Sequence, residues 1–370
     1  MTAAAHARYR TRLAALCDDE ALGLAGGGGR LEREYARFHP HRQPFATLVL
    51  RDVLEPVLRV EAFDERPAGE GVVQSEAGWL RVSPFGSDPA LRGLPELLAR
   101  PGRRAVVRYR PYRRCTVRFD RSYAKVFADR RGERIAAEGR MLCAAAERGE
   151  LGFAVARPQR YDTASRTLWQ SPVPGRQPER VPARRIGRAL ASLASASLEP
   201  RRVLGPEAPL ARSARLGRRL ARSVPGVAPD VDRLLARLRR AHSAAARGRF
   251  VPVHGNPHPR QWLDGEAGLG LVDFDGLALG EPELDAAAVV AALEFEDPAR
   301  VPVARLREAF LEGYREGGGS LDERLMAIHR AHRRLAKAVR VATSLRPDGD
   351  ARAARHLRRA LAELDEAVAA

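Results

Sequence analysis

The chain is short of several residue types, and each shortage removes a class of function. Its three cysteines, at positions 17, 115 and 143, have no metal-ligand spacing and cannot all pair. That excludes a disulfide framework and a cysteine-ligated metal centre, and points to reduced thiols in a cytoplasmic protein. Charges interrupt every hydrophobic stretch, so no run reaches the roughly 18 apolar residues that a membrane-spanning helix needs. The N-terminal segment carries arginines without a sustained apolar core or cleavage pattern, so secretion is not expected. Aromatic residues are only 6% of the chain, and its formal net charge of +18 is scattered through every segment. A nucleic-acid reader would gather such charge in a stripe with aromatics interleaved, so a nucleic-acid partner is not expected. The dense basic runs around Arg184 to Arg188 and in AHRRLAKAVR fall on helix-patterned segments, where solvated faces are expected.

Two further scarcities mark positions. Lys125 and Lys337 are the only lysines among 64 basic residues, and Asn256 is the only asparagine among 370 residues. Lysine is a compact point charge and arginine a wide planar fork. A lysine kept in an arginine background therefore marks a place where the fork does not serve.

At 370 residues the chain is too long for one small core, and two packed lobes are implied. Residues 1–65 read as a helical extension (RTRLAALCDDEALG, then FATLVLRDVLEPVLRVE) broken by GGGG at 26–29. Residues 66–172 read as a β-rich lobe. GVVQ and GWLRVSPF are strand-like, PALRGLPELLAR is a short helix, and RAVVRYR, CTVRFD and YAKVFAD form an antiparallel meander. The helix GERIAAEGRMLCAAAERG follows, with Ile135, Glu138, Leu142 and Ala145 on one face, and then a strand pair in FAVARPQRY and RTLWQSP. After the PVPG turn, residues 173–370 read as a mainly helical lobe interrupted by HGNPHPRQWLDGEAGLGLVDFDG. The order gives an α+β fold with a small β-rich N-lobe and a larger helical C-lobe.

In that interruption QWL and LGLVDFD read as two strands around DGEAG, which places Asn256 and Gln261 before a hairpin and Asp273 at its far end. Amide and carboxylate oxygens converging from two loop ends suit Mg²⁺, a hard ion that prefers oxygen. Here the chain resembles the aminoglycoside phosphotransferase and choline kinase family, which has a protein-kinase-like fold. That family's pattern is HGDxHxxN, a DFD-type segment and GxPxxD. This sequence has His254-Gly255-Asn256-Pro257-His258, Gln261, Val272-Asp273-Phe274-Asp275, and Gly280-Glu281-Pro282 with Asp285. Upstream, Lys125, Glu138 and the PVPG linker extend the likeness.

The resemblance implies an ATP- and Mg²⁺-dependent phosphotransferase acting on a hydroxyl of an aminoglycoside-, sugar- or choline-like small molecule. Lys125, paired with Glu138, would hold the nucleotide phosphates. Asp273, Gln261 and Asp275 would form the metal side, and Asn256 and His254 the catalytic loop, with His254 bracing its backbone. Asp285 is expected to cap the helix that follows it.

Three departures bear on activity. Gln261 stands where the family has asparagine, its amide oxygen chemically equivalent and one methylene further out. Asn256 stands where the family has aspartate, and an amide can orient a hydroxyl but cannot serve as a base. This keeps open a pseudokinase-like nucleotide-binding protein; His258 is a substitute base to weigh. The turn RPYRR lacks the glycines that let backbone amides approach phosphates, which leaves that work to Arg113 or Arg114.

Overall fold

The computed structural model describes residues 11–16, 31–39, 42–52, 56–246, 249–295, 302–344 and 348–369. The glycine run at 26–29 and Cys17 lie outside them. After a helical turn, α1, over residues 11–15, the chain builds an antiparallel five-stranded sheet. Its strands are β1 (Glu32–Phe38), β2 (Ala46–Arg51), β3 (Pro56–Phe63), β4 (Val72–Ser75) and β5 (Gly78–Pro84), in the order β1-β2-β3-β5-β4.

The helix expected in FATLVLRDVLEPVLRVE is therefore strand, and the sheet crosses the boundary expected at residue 65. The reason is burial on both faces. Leu48 and Leu50 pack with Val60 and Leu80 in one core, while Val49 packs with Phe85, Val106 and Trp169 in another. A strand buried on both sides loses its alternation and cannot be told from a helix by periodicity.

A short helix, α2 (Leu94–Leu98), leads to a second five-stranded sheet. The strands are β6 (Arg104–Arg110), β7 (Arg114–Phe119), β8 (Tyr123–Phe127), β9 (Pro158–Asp162) and β10 (Thr167–Gln170), in the order β6-β7-β8-β10-β9. The expected meander and strand pair are both there, and α3 (Arg131–Glu147) runs between β8 and β9. Val49 of the first sheet lies in the same core as Val117 and Val126 of the second, so the two sheets share an apolar layer.

The C-lobe contains α4 (Ala183–Ser195), α5 (Glu207–Ser223), α6 (Ala228–Ala244), α7 (Glu283–Glu294), α8 (Val303–Glu316), α9 (Glu323–Ala342) and α10 (Gly349–Ala369). Two short β units interrupt it. One is a three-stranded sheet of β11 (Val203–Leu204), β12 (Val251–Val253) and β15 (Ala278–Gly280). The other is the expected hairpin, β13 (Trp262–Gly265) with β14 (Gly268–Leu271). Trp262, Leu271 and Phe274 anchor the hairpin in a core built mainly from α4, α7 and α8.

The run AHRRLAKAVR is not a solvated face. Arg334 is fully buried, and Glu294 and Glu363 accept its hydrogen bonds at 2.7 and 2.6 Å. Arg184, Arg185 and Arg188 are exposed, as expected. Among the described residues no helix is long and apolar enough to cross a membrane.

Candidate functional site

Strand β12 delivers the loop that begins at His254. Two glycines then bring this loop against the segment after the hairpin. A Cβ on Gly255 (φ +83) would lie 2.5 Å from the Gly276 carbonyl oxygen, and one on Gly276 would lie 2.8 Å from that of His254. Only bare backbone allows so close an approach.

Asp285 fixes the same loop. Its two oxygens accept from the His254 and Gly255 N–H groups at 2.5 and 2.8 Å. The expected helix cap is not what it makes, because α7 starts after Pro282 without a side-chain cap. Burial pushes the Asp285 carboxyl up to about 7, against the lowering effect of those N–H groups and Arg333.

His254 is buried and braces the loop, its Nε2 donating to the Val272 carbonyl at 3.1 Å. Burial lowers its pKa, so the ring is neutral. His258 is turned to local structure, its Nδ1 accepting from the Arg260 N–H at 3.2 Å.

Lys125, on the central strand β8, reaches across the cleft to the far end of the hairpin. Its Nζ donates to Asp273 and Asp275, at 3.1 Å in each case. Arg114, at the start of β7, forks onto Asp273 with bonds of 2.9 and 3.0 Å and also binds Asp275 Oδ2. Asp273 adopts a left-handed backbone (φ 72, ψ 46), a conformation that persists in a non-glycine residue only when its surroundings hold it. Against the burial that raises it, Lys125 and Arg114 hold the Asp273 carboxyl well below the usual carboxylate range. The Lys125 ammonium moves the other way: burial lowers its pKa, but Asp275 and Asp273 outweigh that and raise it.

The expected metal set does not fit a divalent cation in this arrangement. Every oxygen of Asp273 and Asp275 already accepts from Arg114, Lys125 or Gln261. The positive charges of Arg114 and Lys125 already balance the two carboxylates. Gln261 turns its amide nitrogen to Asp273 at 3.3 Å, while its oxygen accepts from the His258 N–H at 2.7 Å. That oxygen is committed to the loop.

Three further contacts depart from expectation. Glu138 is buried, as its place on the apolar stripe implies, but it pairs with Arg134 instead of Lys125. Arg134 in turn donates to the Asp275 carbonyl at 3.0 Å, so helix α3 still reaches the site through an arginine. Asn256 opens to the cleft, and its Oδ1 accepts from Arg333, which also donates to the Gly255 carbonyl at 3.1 Å.

The RPYRR turn is rigid without glycine. Tyr112 holds φ 59 there, its N–H bound to Asp88 at 2.8 Å and its hydroxyl to Glu61 at 2.6 Å. Both carboxylates come from the first-sheet region, which pins the turn that carries Arg113 and Arg114. Sequence reasoning missed Arg134 and Arg333. Neither stands out in a chain with so many arginines.

The model of the phosphotransferase enzyme family matches residues 108–327. The chain belongs to that family. Among solved structures, a choline/ethanolamine kinase family protein from Mesorhizobium loti superimposes over 75% of this chain and 94% of its own, with a TM-score of 0.53 at 18% identity. Choline kinase LicA from Streptococcus pneumoniae covers 73% of this chain and 96% of its own, with a TM-score of 0.52 at 12% identity. Likeness at these identities establishes the two-lobed kinase-like fold of this phosphotransferase family member. No curated protein matches the chain. The family match begins inside β6, so the first sheet lies outside the matched residues.

Proposed function

We propose that this family member transfers the γ-phosphoryl group of a nucleoside triphosphate to a hydroxyl of a small molecule, with slow turnover. The acceptor oxygen bonds to the γ-phosphorus as the bond to the β–γ bridging oxygen breaks. The diphosphate leaves with that electron pair, and the hydroxyl proton passes to water in the cleft. The observation that carries this reading is the convergence of Lys125, Arg114, Asp273 and Asp275 opposite the loop that the Gly255–Gly276 contact and Asp285 hold. Lys125 and Arg114 turn from Asp273 and Asp275 to the phosphates when the triphosphate enters, and positioning with electrostatics does most of the work in a loose phosphoryl-transfer transition state. The Asn256 oxygen orients the acceptor hydroxyl without taking its proton.

A pseudokinase is the second reading, favoured by the amide at Asn256 and by the saturation of Asp273 and Asp275. The test pairs nucleotide binding with turnover. A triphosphate should raise the melting temperature, and Lys125→Ala should remove that shift; no shift with any nucleotide sinks both readings. Restoring a carboxylate with Asn256→Asp adds general-base assistance, worth about 10²- to 10⁴-fold. Arg333 will pair with the new carboxylate and reduce its basicity, so the gain in nucleotide turnover is expected near the lower end. Wild-type turnover at the level of the uncatalysed reaction, with a large gain in the variant, selects the pseudokinase.

A further inference from the structure

The cleft that Asn256 faces has a volume of about 1230 Å³, above the roughly 300–1,000 Å³ of ordinary small-ligand sites. Thirteen arginines line it against one carboxylate, Glu34. Helix α5 contributes Arg212, Arg215, Arg219 and Arg222, a spacing that stacks all four on one helical face. Arg37 of β1 enters from the first sheet, Arg110 from β6, and Arg333 from α9.

Among the described residues none of these thirteen arginines pairs with a carboxylate, and Glu34 is directed to Arg51 at 4.0 Å. Arg219 and Arg333 donate to the backbone carbonyls of Phe38 and Gly255 at 2.7 and 3.1 Å. The buried Nε atoms of Arg37 and Arg110 have no hydrogen-bond partner. The contrast with the rest of α9 is direct. Arg330 and Arg334, beside Arg333 in sequence, are each bound by both Glu294 and Glu363. The fold supplies carboxylates where arginine serves the core, and withholds them in the cleft. Burial and neighbouring arginines push Arg110, Arg219 and Arg333 down to about 10, so each of these charges is held at a cost that an anion would offset.

On the phosphotransferase reading above, we infer that the acceptor is a small polyanion bearing phosphate groups, which the cleft arginines grip while its free hydroxyl meets Asn256. Such a wall repels aminoglycosides and choline, which are cations, and the arginine fork matches phosphate oxygens two at a time. A nucleic-acid strand is disfavoured because the lining offers only Tyr35 and Phe295 besides histidines as stacking surfaces, and Ala288, Ala291 and Ala292 of α7 lie along it. The first sheet gains a role: the Phe38 N–H binds the Thr343 carbonyl at 2.9 Å, tying the edge that carries Arg37 to the C-lobe.

The test titrates the full chain with inorganic tripolyphosphate by calorimetry, without nucleotide. Tripolyphosphate is expected to bind and choline not to. Arg215→Ser with Arg222→Ser, both exposed positions, should weaken binding roughly tenfold or more through lost charge-assisted bonds, and the same loss should appear in a Lys125→Ala background, where the nucleotide-phosphate contact is gone. Three results overturn the inference: no binding at low salt; loss with Lys125→Ala but not with the α5 pair, which puts the anion at the nucleotide phosphates; or a single-stranded oligonucleotide that binds more tightly than tripolyphosphate and tightens with length. No transfer is measured, so a failed titration leaves the phosphotransferase reading intact. A protein that binds tripolyphosphate through α5 but turns over no nucleotide fails only that reading.

Discussion

Removing the Arg114 guanidinium should convert a site closed to divalent metal into one that takes it. Arg114 forks onto Asp273 at 2.9 and 3.0 Å and also binds Asp275, and its side chain is 19% exposed against 26% and 19% for the two carboxylates. Breaking a fully buried pair by deleting one partner costs about 3–5 kcal/mol. Water reaches a fifth or more of these groups, so Arg114→Ala is expected to cost about 2–3 kcal/mol, or on the order of 5 °C in melting temperature.

The deletion leaves two carboxylates facing Lys125 alone, a net negative site with oxygen atoms released. Mg²⁺ should then return part of the loss, about 1.4 kcal/mol at ten times its dissociation constant. Thermal unfolding of wild type and variant, with and without Mg²⁺ and without nucleotide, reads both effects. The reasoning fails if wild type gains as much from Mg²⁺ as the variant does. It fails equally if the variant keeps the wild-type melting temperature.

Two further outcomes follow from the loop. Asp285 rises from 3.8 to about 7 on folding, so the folded state binds its proton more tightly than the unfolded chain. Its contribution to stability is full below pH ~4 and lost as pH rises through ~7; urea unfolding across that window should show the decline, and Asp285→Asn should flatten it. Gly255→Ala places a methyl 2.5 Å from the Gly276 oxygen at φ +83, which should cost about 2–4 kcal/mol by chemical denaturation and lower nucleotide turnover by parting the two loops.

Legibility in the sequence followed burial for the fold and rarity for the site. The meander and the β13–β14 hairpin were readable because short apolar runs alternate with turn residues. The first sheet was not, since β2 sends Leu48 and Leu50 to one core and Val49 to another and so erases the period that separates strand from helix. Lys125 and Asn256 stood out because the chain has two lysines and one asparagine. Arg134 and Arg333 did not, because they belong to the commonest charged type, where one more arginine carries no signal; Arg114 was reached only through the turn that carries it.

The departures from the family pattern also form one electrostatic system. An arginine takes up the metal-side carboxylates, another takes Glu138 from Lys125, and a third binds the residue that would otherwise be an aspartate. Arg333 beside an aspartate at 256 would form a salt bridge and suppress the base; beside Asn256 it meets only a dipole. The amide leaves the positive charge of the cleft whole, while a carboxylate at 256 would pair with Arg333 and cancel part of it. On that physical ground Asn256 belongs with a site built to hold anions, and a site merely decayed from one that held cations would not need the arginines.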